Sequence, residues 1–114
     1  MPKRSDREFL TDIREAINRI QQYTAGMTYE EFVRDTKTQD AVLRNLEIIG
    51  EAVKNLSRSL REEYPSVPWK SMAGVRDRLI HHYFGVSLDV VWQIATEELV
   101  DVRAQVDRIL AKQD

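Results

Sequence analysis

The chain has 114 residues, the length of one domain, and can bury roughly two thirds of its unfolded surface without metals or disulfides. Its 17 basic and 19 acidic residues give a formal charge of -2, which excludes a global basic field drawing it to nucleic acid or membrane, so any RNA contact must be local. Cysteine is absent, which excludes a disulfide frame, a thiol nucleophile and a thiolate metal site.

Ser5-Asp6-Arg7-Glu8 reads as a capping box, with the Ser5 side chain on the backbone N–H of Glu8 and Glu8 reaching back. In the helix that follows, Phe9, Ile13, Ala16, Ile17 and Ile20 fall on one stripe and Asp12, Arg14, Glu15 and Arg19 point outward. The helix is expected to stop near Tyr23 to Gly26, where glycine can take a positive φ. Thr28-Tyr29-Glu30-Glu31 is a second capping box and opens a short helix through Phe32 and Val33. Polar Asp35-Thr36-Lys37-Thr38 interrupts the pattern. From Gln39 to Leu60, the residues Val42, Leu46, Ile49, Val53, Leu56 and Leu60 alternate in steps of four and three. That spacing predicts a long bundle helix crossing its neighbours at about 20°. Gly50 sits inside it at a cost of about 1 kcal/mol relative to alanine. Its compensation is a close helix crossing, either within the monomer or across a dimer axis.

Tyr64-Pro65-Ser66-Val67-Pro68 is the proline-rich break, and Pro68 suits the first position of the next helix. Trp69, Met72 and Val75 are its apolar side, with Trp69 read as a core anchor rather than a stacking platform. Gly74 is expected to kink that helix or to split it. Ser87 caps the final helix, with Asp89 in its first turn favourable to the helix dipole. Its stripe is Leu88, Val91, Trp92, Ala95, Leu99, Val102, Val106 and Ile109. Strand alternation is absent. The expected architecture is a single all-α domain over residues 1–114, an up-and-down bundle of four main helices plus one short helix. No apolar run approaches the ~20 residues of a membrane span, and residues 1–12 lack the apolar core of a secretion signal. A cytoplasmic protein with no membrane partner is expected.

Chemistry concentrates between Gly74 and Gly85, which enclose Arg76, Asp77, Arg78, His81, His82 and Tyr83. Arginine supplies a permanent planar charge suited to phosphate, and histidine gives or takes a proton near neutral pH. Together they are the minimum equipment for cleaving an RNA phosphodiester without metal. Histidine could deprotonate the ribose 2′-hydroxyl or protonate the leaving oxygen, while arginine offsets charge building on the phosphorus oxygens. Arg78 and His82 are candidates for binding the substrate. A metal site is not expected, because neighbouring histidines on a helix point about 100° apart and only carboxylates could complete it. No cofactor is called for. Arg76 and His81 would differ by about 140° in direction and about 7.5 Å in height on an ideal helix. One helix would not easily aim both at the same phosphate, whereas two copies across a two-fold axis could. The ordinary reading of solvated arginines, satisfied histidines and a core Tyr83 stands beside this one, because an arginine and a histidine five apart occur by chance in many helices.

Arg76, four residues, His81, one residue and Tyr83 resemble the R-x4-H-x-Y motif of the HEPN superfamily, specifically its HepT-like ribonuclease toxins. The similarity extends to Pro68-Trp69, Ala73-Gly74, Val90-Val91-Trp92 and the segment from Arg44 to Ala52. In this family a polar residue usually follows the arginine, and Asp77 provides it. The resemblance implies a HEPN-like helical fold and a homodimeric, metal-independent RNA endonuclease with Arg76 and His81 catalytic and Asp77 and Tyr83 supporting. It also implies a toxin–antitoxin module whose antitoxin is a minimal nucleotidyltransferase similar to MntA, which can transfer AMP from ATP to the motif tyrosine, here Tyr83. His82 has no role in the resemblance. Two other classes stay open: a non-catalytic helical binding module that partners a nucleotidyltransferase, and a purely structural dimerisation bundle.

Overall fold

The computed structural model describes residues 4–75, 78 and 87–112. Among the described residues seven α-helices and one π-helical stretch follow in chain order: α1 (Asp6–Thr24), α2 (Tyr29–Arg34), α3 (Thr36–Asn55), α4 (Arg58–Glu63), α5 (Trp69–Ala73), α6 (Leu88–Gln93), the π stretch (Ile94–Glu98) and α7 (Leu99–Ala111). No strand occurs among the described residues. No helix among them is long and apolar enough to cross a membrane.

Both capping boxes form. Glu8 N donates to Ser5 Oγ at 3.2 Å while Ser5 N donates to Glu8 Oε1 at 3.1 Å. Glu31 N donates to Thr28 Oγ1 at 3.1 Å and Thr28 N to Glu31 Oε1 at 2.9 Å. Each box satisfies two of the backbone donors that a helix start leaves without partners. α1 stops at Thr24, and Gly26 takes φ 72°, the left-handed conformation that glycine adopts without steric cost.

α1 packs along α3 more extensively than any other two elements do, and α7 and the π stretch cover the rest of α1. The core is the set of stripes these faces bring together: Leu10, Ile13, Ile17 and Ile20 from α1, Val42, Leu46, Ile49 and Val53 from α3, and Val102, Val106 and Ile109 from α7. Each such side chain contributes about 1.5–3 kcal/mol relative to full exposure. Phe9, expected on the α1 stripe, is only partly buried, and Leu10 takes the core position beside it. Phe32 of α2 is fully buried, and its ring lies 5.2 Å from that of Trp92. The short α2 thereby covers the start of the final helix.

Two boundaries differ from expectation. α3 begins at Thr36 rather than Gln39, because Asp35 serves as its N-cap: Asp35 Oδ1 accepts from Thr38 N at 3.0 Å. The polar run read as an interruption is a helix start. α3 also ends at Asn55 instead of reaching Leu60, and a separate α4 follows. Ser57 N-caps α4 by accepting from Leu60 N at 3.2 Å, and its own N–H and hydroxyl are taken by Asp6 at the start of α1. Leu56 and Leu60 remain buried, so the apolar pattern is kept although the helix is broken.

Gly50 is the close crossing. A Cβ there would stand 3.2 Å from Met72 O and 3.4 Å from Val75 Cγ1, so α3 passes against the backbone of α5 within one chain. Of the two compensations expected for Gly50, the contact within the monomer is present. Trp69 is 7% exposed and its Nε1 donates to Tyr64 O at 2.9 Å, which makes it the anchor of α5.

Candidate active site

The chemistry-bearing segment is entered from α5. Pro68 precedes the first residue of that helix, and Trp69 and Met72 bury its inner face. α5 ends at Ala73 with Gly74 as its C-cap, and Val75 is helical again, so of the two expectations for that glycine it is the split that is seen. Val75 is buried against α3. Arg76, Asp77, His81, His82 and Tyr83 lie outside the described residues. Arg78 is described, and its backbone N–H donates to Gly74 O at 3.3 Å.

The side chain of Arg78 is held from two sides. Nη1 donates to Ser71 Oγ at 2.9 Å and to Glu98 Oε1 at 3.1 Å, and Nη2 donates to Glu98 Oε2 at 2.8 Å. This is the two-pronged guanidinium–carboxylate arrangement, stronger and more directional than a single contact. The two side chains are 33% and 36% exposed, and both border a void of about 20 Å³ that is otherwise lined mainly by apolar residues such as Met72, Val75 and Ile94. A pair in that setting is less screened than one in open solvent. Arg78, a candidate for binding substrate, has its charge matched by Glu98.

Glu98 is the last residue of the π stretch, where the final helix widens between Gln93 and Leu99. Thr96 Oγ1 donates to Trp92 O at 2.7 Å at its entry. Single π turns inside α-helices are rare and are often found at functional sites. Ser87 precedes α6 as expected but makes no side-chain bond to the helix backbone, and its hydroxyl donates to Asp89 instead.

Two open hollows flank the point where the chain enters the segment. One, of about 750 Å³, is bounded by Pro65, Lys70, Ser71, Gly74 and Arg78. The other, of about 460 Å³, is bordered by Val75 and carries Arg4, Arg44, Glu51 and Lys54. Lys70 is exposed, so a cation stands in the first hollow beside the Arg78–Glu98 pair. Among the described residues no group of three or more His, Cys, Asp or Glu side chains could hold a metal ion, and both histidines lie outside them.

Glu98 and Ser71 escaped the sequence reading. A signal for Glu98 exists: it lies three residues after Ala95 and four before Val102, a carboxylate on the core-facing side of an amphipathic helix. Ser71 shows no comparable signal.

Comparison with known proteins places relatives beside this geometry. The family described as ribonuclease HepT-like matches residues 13–109. A Methanocaldococcus jannaschii protein provisionally named an RNase is 47% identical over 110 residues, covering 96% of this chain and 91% of its own length. The probable ribonuclease HepT of Thermococcus cleftensis is 43% identical over 107 residues, covering 94% of this chain and 97% of its own. A Caldanaerobacter subterraneus protein, also provisionally named an RNase, is 41% identical over 110 residues, covering 96% and 98%. No solved structure matches the chain.

Proposed function

The chain belongs to the HepT-like ribonuclease family, and from that premise we infer that it is the toxin of a two-gene toxin–antitoxin module, a homodimeric endoribonuclease that cuts RNA without a metal. The observation that carries this reading is that the matched span, residues 13–109, contains Arg76, His81 and Tyr83 in the spacing of the family motif.

In the cleavage step the ribose 2′-oxygen attacks phosphorus and the bond to the leaving oxygen breaks. His81 moves a proton, either from the 2′-hydroxyl or to the leaving oxygen, and Arg76 offsets the charge that accumulates on the phosphorus oxygens. Asp77 and Tyr83 support these two groups. A dimer that joins the segments of both protomers overcomes the divergence of about 140° between positions five apart on one ideal helix, and it concentrates positive charge that the net charge of -2 conceals. The partner is a minimal nucleotidyltransferase antitoxin. The Tyr83 oxygen attacks the α-phosphorus of ATP, pyrophosphate leaves, and the hydroxyl proton passes to a base of the partner. The added AMP then brings negative charge and bulk beside a cationic cleft. Acting on cellular RNA, the protein works in the cytoplasm.

The test is cleavage of RNA by purified protein in EDTA, with Arg76→Ala and His81→Ala alongside. Cleavage without metal that falls by about 10²- to 10⁴-fold in each variant is expected. A need for added Mg²⁺, or undiminished cleavage by His81→Ala, overturns the mechanism. Tight binding of the nucleotidyltransferase by a protein that never cuts RNA supports the non-catalytic binding module instead.

A further inference from the structure

Arg78 stands two positions after Arg76 and three before His81, so the backbone joining the two proposed cleavage groups runs through it. Its guanidinium is bonded to Ser71 in α5 and to both carboxylate oxygens of Glu98 at the end of the π stretch. The two anchors belong to elements that reach this point independently. α5 is fixed by Trp69 and Met72 and by the crossing at Gly50, while the π stretch is fixed by Ile94 and Ala95 against the core. A bidentate pair spanning them sets a direction as well as a distance, because a planar fork on a planar carboxylate tolerates little rotation. With its charge balanced by Glu98, Arg78 has little net attraction left for an RNA phosphate.

We propose that Arg78 and Glu98 form a positioning pair that holds the segment carrying Arg76 and His81 in its cutting orientation, Glu98 acting from the final helix and neither residue touching the scissile phosphate. The proposal rests on the assignment of cleavage to Arg76 and His81. Catalysis by orientation is sensitive to displacements of about 1 Å, which can cost on the order of 100-fold. The π stretch has a role in this arrangement: it ends on the residue that receives the fork. Glu98 is thereby a determinant of activity on a helix outside the motif.

The experiment compares the full-length protein with Glu98→Gln, Arg78→Lys and the exchanged pair Arg78→Glu with Glu98→Arg. Three quantities are read: kcat and KM for RNA cleavage, the salt dependence of KM, and amide hydrogen exchange across residues 71–88. Glu98→Gln is nearly isosteric and keeps one acceptor, so the fold is retained, with thermal unfolding checked in parallel. It is expected to lower kcat by about 10- to 100-fold with KM within about twofold, and to speed exchange by about tenfold in that peptide and not in α1. Arg78→Lys keeps the charge, loses the fork and should behave alike, while the exchanged pair should regain at least part of the lost kcat. Unchanged kcat in Glu98→Gln, unchanged exchange, an effect of Arg78→Lys confined to KM, or a salt dependence of KM that steepens when Glu98→Gln leaves Arg78 unbalanced overturns the proposal, the last two by making Arg78 an RNA contact. Cleavage that persists in His81→Ala overturns the assignment of the cutting groups alone, and the exchange comparison then decides the anchoring by itself.

Discussion

Asp6 and Ser57, 51 positions apart in sequence, meet at the junction of three helices: Ser57 Oγ donates to Asp6 Oδ2 at 2.6 Å and Ser57 N to Asp6 Oδ1 at 2.8 Å. One carboxylate in the first turn of α1 therefore closes the gap between α3 and α4, while the Ser57 hydroxyl also caps α4. Asp6→Ala removes both acceptors from a partly exposed site, and hydrogen bonds to a charged group contribute about 1.5–3 kcal/mol, the lower end applying here. A loss of about 1–2 kcal/mol in urea unfolding is expected, with RNA cleavage retained. No loss would mean that the Ser57 cap alone holds the break.

Gly50 is the point where α3 meets the backbone of α5. Gly50→Val should destabilise by about 1–3 kcal/mol, the range for forcing extra carbons into a packed contact. Gly50→Ala should be nearly neutral, since its helix gain of about 1 kcal/mol is set against a Cβ standing 3.2 Å from Met72 O. Equilibrium denaturation of the two variants decides. A valine variant as stable as the parent would show that the crossing can open.

Acid should weaken the helix starts. The backbone N–H of Ser5, then its hydroxyl, holds the Glu8 carboxyl below its ordinary 4.5, and the backbone N–H of Thr38, then its hydroxyl, holds Asp35 below 3.8. Both pKa values are depressed in the folded state, so the stability they contribute is present above those ordinary values and is lost as pH falls through the folded ones. Glu8→Gln and Asp35→Asn should each be less stable than the parent at pH 7 and should lose less stability on acidification below pH 4.5. Urea unfolding at neutral and acid pH measures the difference. Equal acid sensitivity of parent and variants contradicts it.

A site shared between protomers predicts complementation. Dimers assembled from one Arg76→Ala subunit and one His81→Ala subunit should regain cleavage that neither homodimer shows, because one cleft would keep an intact arginine and an intact histidine. Solution mass at micromolar concentration should be that of a dimer. A monomer, or mixed dimers that stay inactive, removes the composite site.

Control through Tyr83 predicts a separation of function. Tyr83→Phe keeps the ring and removes the acceptor oxygen, so it should retain cleavage while escaping silencing by the nucleotidyltransferase and ATP. Mass spectrometry should show added AMP on the parent and none on the variant. An adduct on Tyr23, Tyr29 or Tyr64, or full cleavage with Tyr83 modified, contradicts the assignment.

What the sequence determined by itself is local. The boxes at Ser5 and Thr28, the stop near Gly26, the anchor role of Trp69 and the stripes of α1, α3 and α7 were legible because each depends on residues within one or two turns. The R-x4-H-x-Y pattern was legible for the same reason, as a spacing along the chain. Tertiary structure decided the rest. The apolar steps run from Val42 to Leu60 without a fault, yet the helix breaks at Leu56, where Asp6 and Ser57 satisfy the chain ends that a break exposes. Either kind of crossing would have suited Gly50 until α5 was laid against it. Arg78 reads as a free cation in sequence, and it becomes half of an ion pair only because a π turn ends at Glu98, 20 residues away. Periodicity reports which face of an element is buried, since burial repeats with the helix. A polar partner from another element leaves no such period, because a single hydrogen bond or ion pair depends on where two elements happen to meet.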